Sequence, residues 1–371
     1  MAIYLVTLNR NEVAQTEIDE TGSYLLSRCG KTRPYRDITM FFRVAFVVGL
    51  WCLSSADWAS YKRKFNKNYS SVEDAFRRQI YEESTRNNIE HNILYDLKLV
   101  TWRRGPTMFS DMTAEERSGF LGALPPTANF SAPPEYLGPE LWEGEPPASV
   151  DYRTNPCLTP PKDQGASTAA CSRNCWAFAT IGLLEFRYCA REGTQQRFSE
   201  KYLVNCADNR SCEGGHIDKA LEFVIEKQKI PSEASYPYTL SKEPCREPYV
   251  DLFDMKDLVG YEILHGDEAL LRAVAFRGPV AVYMWTNMTG LQDFTPGEDD
   301  IFSSAVCDNL EPGAYDHAVM VVGYGSNAQG KYWIIRNSWG PLWGQHGYAK
   351  ISRDKVNHCH ISDSVFVPKY A

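Results

Sequence analysis

The chain has 371 residues, 43% of them apolar and 23% charged. That balance excludes wholesale disorder and leaves room for two domains, or for one large domain behind a pro-segment. The formal net charge of -8 speaks against nucleic acid as a main partner, because a phosphate surface would repel that field.

The first informative segment is MFFRVAFVVGLWCLSSA, from Met40 to Ala56. Arg43 stands near its start, an apolar stretch runs to Leu53, and the small residues Ser54 and Ala56 mark a cleavage site. This is the anatomy of a secretory signal, and the stretch is short for a membrane span. Its late position predicts that translation starts at Met40 and that residues 1–39, including the polar TLNRNEVAQTEIDETG, are a gene-model extension. The rival reading is a signal-anchor with a short cytosolic tail. A secretory route makes disulfides the expectation. Cys29 and Cys52 fall in the segments expected to be lost, which leaves Cys157, Cys171, Cys175, Cys189, Cys206, Cys212, Cys245, Cys307 and Cys359. An odd number leaves one thiol unpaired, the mark of a reactive cysteine in a secreted protein. No C-x-x-C pairs with matching histidine spacing occur, so no metal and no other cofactor is expected.

Residues 57–123 read as a charged, helical segment. Phe76, Ile80, Leu94 and Leu97 sit near helical spacing, and Glu73 stands four before Arg77. Residues 124–147, LPPTANFSAPPEYLGPELWEGEPP, are rich in proline and read as an exposed linker that is easily cut. From 148 onward, WAFATIGLLEFRYCAREG predicts a buried helix stopped at Gly193; IDKALEFVIEK and GDEALLRAVAFRG predict two more, the last ended by Gly278 and Pro279. PVAVYMW, HAVMVVGYG, KYWIIRNSWG and GYAKISR are short, β-branched or aromatic, and read as strands. Helices first and strands later indicate an α+β protein with two unlike halves.

Cys175 falls at the N-terminus of the first buried helix, where unpaired amides and the helix dipole favour a thiolate. His317 begins a strand and can serve as its cationic partner. Asn337, on a neighbouring strand, can accept the imidazole N–H and orient the ring, with Trp339 shielding that bond. Gln164 in KDQG can donate its amide to a developing oxyanion beside the Cys175 N–H. Each residue alone has a plainer reading: Cys175 as a small core hydrophobe, His317 as a satisfied strand-end histidine, Asn337 as a turn residue, Trp339 and Trp343 as core. Their joint order and spacing favour a catalytic pair.

The stretches DYR, KDQG, CWAF, SEKYLVNC, CEGG, DHAVMVVGYG and NSWGPLWGQHGY resemble, in that order, the papain family of cysteine proteases, over about residues 148–371. Glu73, Arg77, Tyr81 and Asn92, followed by Gly105, Phe109 and Asp111, resemble the inhibitory pro-domain of the cathepsin L-like branch; Ser84, Asn88 and Thr107 depart from its pattern. The resemblance implies a papain-like two-part fold, helical half against antiparallel half with a cleft between, behind a pro-domain at 57–123 that covers the cleft until it is cut off near 135–147. It implies a secreted or lysosomal endopeptidase, a monomer acting on peptides through Cys175, His317, Asn337 and Gln164 by way of a thioester. Its partners would be peptide substrates, its own pro-domain and cystatin-type inhibitors. It implies disulfides Cys171–Cys212, Cys206–Cys245 and Cys307–Cys359, with Cys157–Cys189 as a further pairing. Gly214 and Gly215 would pair by backbone with an extended peptide. His216, Ile217, Tyr283, Tyr315, Ala318 and Ser364 would line the main specificity pocket, where the bulk of Tyr283 favours small apolar side chains over Leu or Phe. One departure stands out: Gln164 lies eleven residues before Cys175 where the family has six, and one extra residue separates Cys171 from Cys175. The competing reading is therefore a weak or inactive homologue that binds peptides or protease inhibitors. Asn68, Asn129, Asn209 and Asn287 begin glycosylation sequons.

Overall fold

The computed structural model describes residues 57–127, 144–165, 171–207, 211–247, 250–286 and 290–371, with four short strands near the N-terminus. Those strands, β1 (Leu8–Asn9), β2 (Glu12–Val13), β3 (Gln15–Ile18) and β4 (Tyr24–Ser27), pair antiparallel as β1 with β2 and β3 with β4. The polar stretch TLNRNEVAQTEIDETG, read above as part of a gene-model extension, holds three of them. The signal segment 40–56 and most of the linker, 128–143, lie outside the described residues. Among the described residues no helix is long and apolar enough to cross a membrane.

From Trp58 to the C-terminus the chain forms one unit. Its axis is helix α4 (Cys175–Glu192), buried at every position from Cys175 to Phe186 because its sequence offers no polar face until Arg187. It ends at Gly193, whose φ of 71° is one that residues with a Cβ seldom adopt. Helices α5 (Glu200–Cys206) and α6 (Ile217–Lys227) pack on it. Two short strands, β6 (Lys229–Pro231) and β7 (Leu252–Asp254), pair beside them. The other half is a seven-stranded sheet. Its members are β5 (Val150–Asp151), β8 (Leu258–Leu264), β9 (Val280–Met284), β10 (His317–Asn327), β11 (Gly330–Arg336), β12 (Tyr348–Ser352) and β13 (Val365–Tyr370). Their order is β12-β11-β10-β9-β13-β8, with β5 also on β10, and α7 (Asp267–Arg277) packs against it.

Strand β10 joins the halves. Side chains alternate across a strand, so Ala318, Met320 and Val322 enter the core shared with α4, while Val319 and Val321 enter a second core with Trp333, Trp339 and Trp343; a register shift between Val321 and Gly323 puts Tyr324 in that second core as well. Burial on both faces explains why HAVMVVGYG reads as a continuous apolar run. Disulfides Cys157–Cys189, Cys171–Cys212 and Cys206–Cys245 staple the helical half, and Cys307–Cys359 the other.

The N-terminal helical portion contains α1 (57–64), α2 (Ser71–Asp96) and α3 (Ala114–Ser118). Phe76, Leu94 and Leu97, the apolar residues at helical spacing, face solvent; α2 buries Arg77, Tyr81, Ser84 and Asn88 instead. Polar geometry sets this face. The Arg77 guanidinium reaches Glu116 through both terminal nitrogens, at 2.5 and 2.6 Å, and donates to the Asp111 carbonyl at 3.1 Å. Asn92 makes paired bonds with the Arg104 backbone at 2.8 and 2.9 Å. Asp111 in turn accepts from Tyr61, Tyr69 and Lys67. The bond from Arg77 holds the Glu116 carboxyl below its ordinary 4.5. A carboxylate so depressed contributes stability above that value, and the contribution is lost as pH falls below it. Arg77→Ala is expected to cost about 3 kcal/mol, because it leaves Glu116 without its partner. Melting of the full chain at neutral pH checks this, and the deficit should shrink by pH 3.

Candidate active site

Cys175 opens α4 and is the only free cysteine among the described residues. The preceding Asn174 makes no side-chain cap bond. Its amide goes to the Cys171 carbonyl at 3.1 Å and the Tyr238 hydroxyl at 2.8 Å, so the positive end of the helix is left to the sulfur. The backbone of Ala318, the residue after His317, lies near enough to the sulfur to favour its thiolate, which places the thiol at the head of β10. The antiparallel pairing of β10 with β11 brings Asn337, just past the end of β11, beside His317. His317 Nε2 lies 2.8 Å from Asn337 Oδ1. Oδ1 also accepts the Ser338 N–H at 2.8 Å, so the histidine donates from Nε2 and its Nδ1, buried without a partner, is the nitrogen free to take a proton. The Trp339 indole stacks on the ring at 4.6 Å between centroids.

Gln164 is anchored on the same segment. Its N–H bonds the Ser338 carbonyl at 2.8 Å, and the Ser338 hydroxyl donates to its Oε1 at 2.6 Å. Oε1 being taken, the amide Nε2 is turned to the carbonyls of Phe120 at 2.9 Å and Ser172 at 2.8 Å. The longer separation from Cys175 leaves Gln164 on the cleft; residues 166–170 lie outside the described residues.

Residues 120–127 thread this cleft. The Gly122 backbone lies beside the Cys175 sulfur. The Gly122 carbonyl accepts from Gly215 N at 2.9 Å, Leu124 N donates to the Gly215 carbonyl at 3.1 Å, and Ala123 N donates to the Asp316 carbonyl at 3.1 Å. The pairing of Ala123 with Gly215 is parallel. Farther on, His216 Nδ1 lies 2.8 Å from the Pro125 carbonyl, and Asp218 accepts Thr127 N and Oγ1 at 2.7 Å each. The glycines permit this approach: a Cβ on Gly214, whose φ is 104°, would stand 2.7 Å from the Gly122 oxygen, and one on Gly215 would stand 2.4 Å from the Trp176 ring. Ile217, Tyr283, Ala318 and Ser364 are buried and Tyr315 half-buried. Tyr283 and Ala318 are register partners on β9 and β10.

Burial governs the charges at this site. It pushes the Cys175 thiol up to about 11, against the pull of the amides on the sulfur, and pushes the His317 imidazole down to about 4, against the Asn337 bond. Both are neutral at pH 7. Sequence reasoning did not single out Ser338, Asp316, Asp218 or Gly122. Ser338 sits inside the NSWG motif beside Asn337, but only the fold tells which way its hydroxyl points.

Residues 146–369 match the papain family cysteine protease, and residues 58–116 match the cathepsin propeptide inhibitor domain. The chain belongs to the papain family of cysteine proteases. It is 33% identical over 338 residues to a cathepsin L-like proteinase of Fasciola hepatica, covering 90% of this chain and 98% of that one. It is 35% identical over 332 residues to cathepsin K of Mus musculus, covering 88% and 96%. Its fold is similar to that of the digestive procathepsins L 3 and L2 of the Tenebrio molitor larval midgut. The TM-scores are 0.73 and 0.74, with 31% identity and coverage of 85% of this chain and 99% of theirs. The protein is a cysteine peptidase made as a zymogen, and residues 58–116 are its own inhibitory propeptide domain.

The covered thiol yields a direct expectation. At pH 7 the intact zymogen should resist iodoacetamide at Cys175, and removal of the pro-segment should raise the alkylation rate at least about a hundredfold, because the thiolate is the reacting species. Mass mapping of the labelled peptide reads the outcome.

Proposed function

We propose that the protein is an endopeptidase of the secretory pathway, lysosomal or extracellular, in which Cys175 and His317 act as a thiolate–imidazolium pair once the pro-segment has left the cleft. The thiolate sulfur attacks the peptide carbonyl carbon; His317 gives its Nδ1 proton to the leaving amine; water then adds to the thioester, gives that nitrogen a proton, and releases the acid. Asn337 keeps the imidazole in the tautomer this needs. Gln164 Nε2 and the Cys175 N–H stabilise the oxyanion.

The observation that carries the reading is the Gln164 amide held by Ser338 on a peptide carbonyl, that of Phe120, within the segment that crosses the sulfur. An inactive homologue would be expected to lose that donor. An endopeptidase fits a cleft that takes a chain continuing on both sides of Cys175, from Phe120 to Thr127. Four disulfides fit an oxidising compartment. The same cleft in a monomeric mature enzyme would admit cystatin-type inhibitors. Release at acid pH fits His317: its folded value lies below the unfolded 6.5, so stability is complete above 6.5 and declines as pH falls toward 4.

After acid activation, Cys175→Ala is expected to abolish both casein hydrolysis and labelling by a thiol-directed epoxide; equal labelling of variant and wild type would exclude Cys175 as the nucleophile. Gln164→Ala should lower kcat about a hundredfold with little change in KM. A change below threefold in kcat would remove Gln164 from the oxyanion site. N-terminal sequencing of secreted material tests the leader: a chain that retains residues before Met40 refutes a signal at 40–56.

A further inference from the structure

A cavity of about 390 Å³ lies between the pro-domain and the peptidase half, and no active-site residue lines it. Its volume is that of a small-molecule site. The pro-domain contributes Ser84 and Asn87 of α2 to its walls, together with Arg104 and Arg117; the peptidase half contributes Gln292 and Asp293. Two residues that depart from the pro-domain pattern, Ser84 and Asn88, fall at this point of α2. Asn92 grips the Arg104 backbone from both sides, so the place at which the arginine side chain leaves the chain is set. The guanidinium lies over the Trp102 ring at 5.2 Å and against Gly290, where a Cβ would collide with Nη2.

The groups on the pro-domain wall are donors that lack an acceptor. Among the described residues the Arg104 guanidinium has no hydrogen bond and no direct ion pair, and its Nε is sealed from solvent. Burial pushes it below its ordinary value, whereas the bonds of Glu116 raise Arg77. Asp293 pulls the other way from a distance, but its Oδ1 is taken by Arg117 at 2.8 Å. Two guanidinium groups thus face one carboxylate. Glu83 also lines the cavity, but it is exposed, where water and salt screen its charge. Ser84 is buried and its hydroxyl has no partner; nor has the Asn87 side-chain amide. One turn on from Ser84, the Asn88 amide nitrogen is buried without a partner. A buried guanidinium needs an anion, and unmet donors destabilise a fold. An oxyanion, which only accepts, satisfies hydroxyl and amide together, and two of its oxygens fit the planar fork of an arginine.

We propose that this cavity binds a small molecule bearing phosphate or sulfate, on Arg104, Ser84 and Asn87, and that the ligand fastens the pro-domain to the peptidase half. The cavity has room for a sugar behind the oxyanion. Its walls come from both parts of the chain, so the site exists only while the pro-domain is docked. A ligand held by the docked form alone lowers the population of the opened form by the factor 1 + [L]/Kd. None of this depends on the catalytic reading of the cleft, since it needs only the docked pro-domain.

The test uses the intact zymogen at pH 7 with two probes, inorganic phosphate and glucose 6-phosphate, against sodium chloride at equal ionic strength. Titration calorimetry is expected to show one saturable site per chain, lost when limited proteolysis in the linker removes the pro-segment. Equal affinity for the two probes assigns the site to a free oxyanion; tighter binding of glucose 6-phosphate assigns it to a phosphorylated sugar. Arg104→Met, which keeps the stem over Trp102, should weaken binding about a hundredfold, and Arg104→Lys about tenfold, because an ammonium gives up the fork. Asn87→Ala alters an exposed residue and so keeps the test valid where Arg104→Met fails to fold; it should weaken binding about fivefold. With ligand at ten times its Kd, the rate of Cys175 alkylation, which reports opening of the cleft, should fall about tenfold. Heats no larger than the chloride control overturn the proposal. So does binding that survives loss of the pro-segment, or that Arg104→Met and Asn87→Ala leave unchanged. An alkylation rate that the bound ligand does not slow overturns the fastening.

Discussion

Strand β10 is buried on both faces by two cores of different construction, and the site follows from that constraint. One face packs on α4 and the other on the Trp339–Trp343 cluster, so the strand cannot tilt without opening one core or the other. Its second residue, Ala318, is thereby fixed beside the sulfur of Cys175, the first residue of α4. A helix start supplies free amides and a positive end; a strand start supplies a side chain and an amide aimed the other way. Where two such ends meet, a sulfur and an imidazole can face each other without either needing a flexible loop. Asn337 and Ser338 come from the next strand over, at a distance set by sheet spacing, and so inherit the same rigidity.

The pro-segment inhibits by using the same geometry. It takes the backbone partners of Gly215, the Gln164 amide and the sulfur at once, and in doing so removes the water that an ion pair would need. Neutral thiol and neutral imidazole are the stable pair in such a place, because transferring the proton would bury two charges. Arg117 ties the pro-domain to Asp293 at 2.8 Å, while Arg77 and Glu116 pair within it and so hold α2 against α3.

Much of this was legible in the residues. The helices α4, α6 and α7 and the strands from β9 to β12 lie where periodicity placed them, because their apolar patterns serve a core that any fold of that pattern would need. The end of α4 was legible from Gly193. The burying face of α2 was not: spacing pointed to Phe76, Leu94 and Leu97, whereas Arg77, Tyr81, Ser84 and Asn88 turn inward. Arg77 reaches residues 34 and 39 positions away, and no local pattern encodes that reach. The polar N-terminal stretch likewise forms strand pairs that its composition did not announce. Within the site, residue types and order identified Cys175, His317, Asn337 and Gln164 as candidates, but the support from Ser338 depends on side-chain direction, which spacing does not specify.

The lengthened interval before Cys175 shows why direction matters more than count. Gln164 stays on the cleft because both its flanks are tied to rigid elements. On one side, Lys162 is buried between Glu185 of α4 and Glu200 of α5, at 2.6 Å from each. Removing that ammonium would leave two carboxylates facing each other in the core, so the chain at 162 is held by the charge it neutralises. On the other side, Ser338 grips the Gln164 backbone and side chain together. Extra residues after Gly165 are then outside the clamp. Residues 166–170 lie outside the described residues, and Cys171 beyond them is fixed by its disulfide to Cys212. An insertion between two anchored points adds loop, and its cost grows only slowly with length. The distance along the chain from Gln164 to Cys175 is therefore a weak guide to whether the amide can serve the sulfur; the anchors at 162, 338 and 171 are the stronger one.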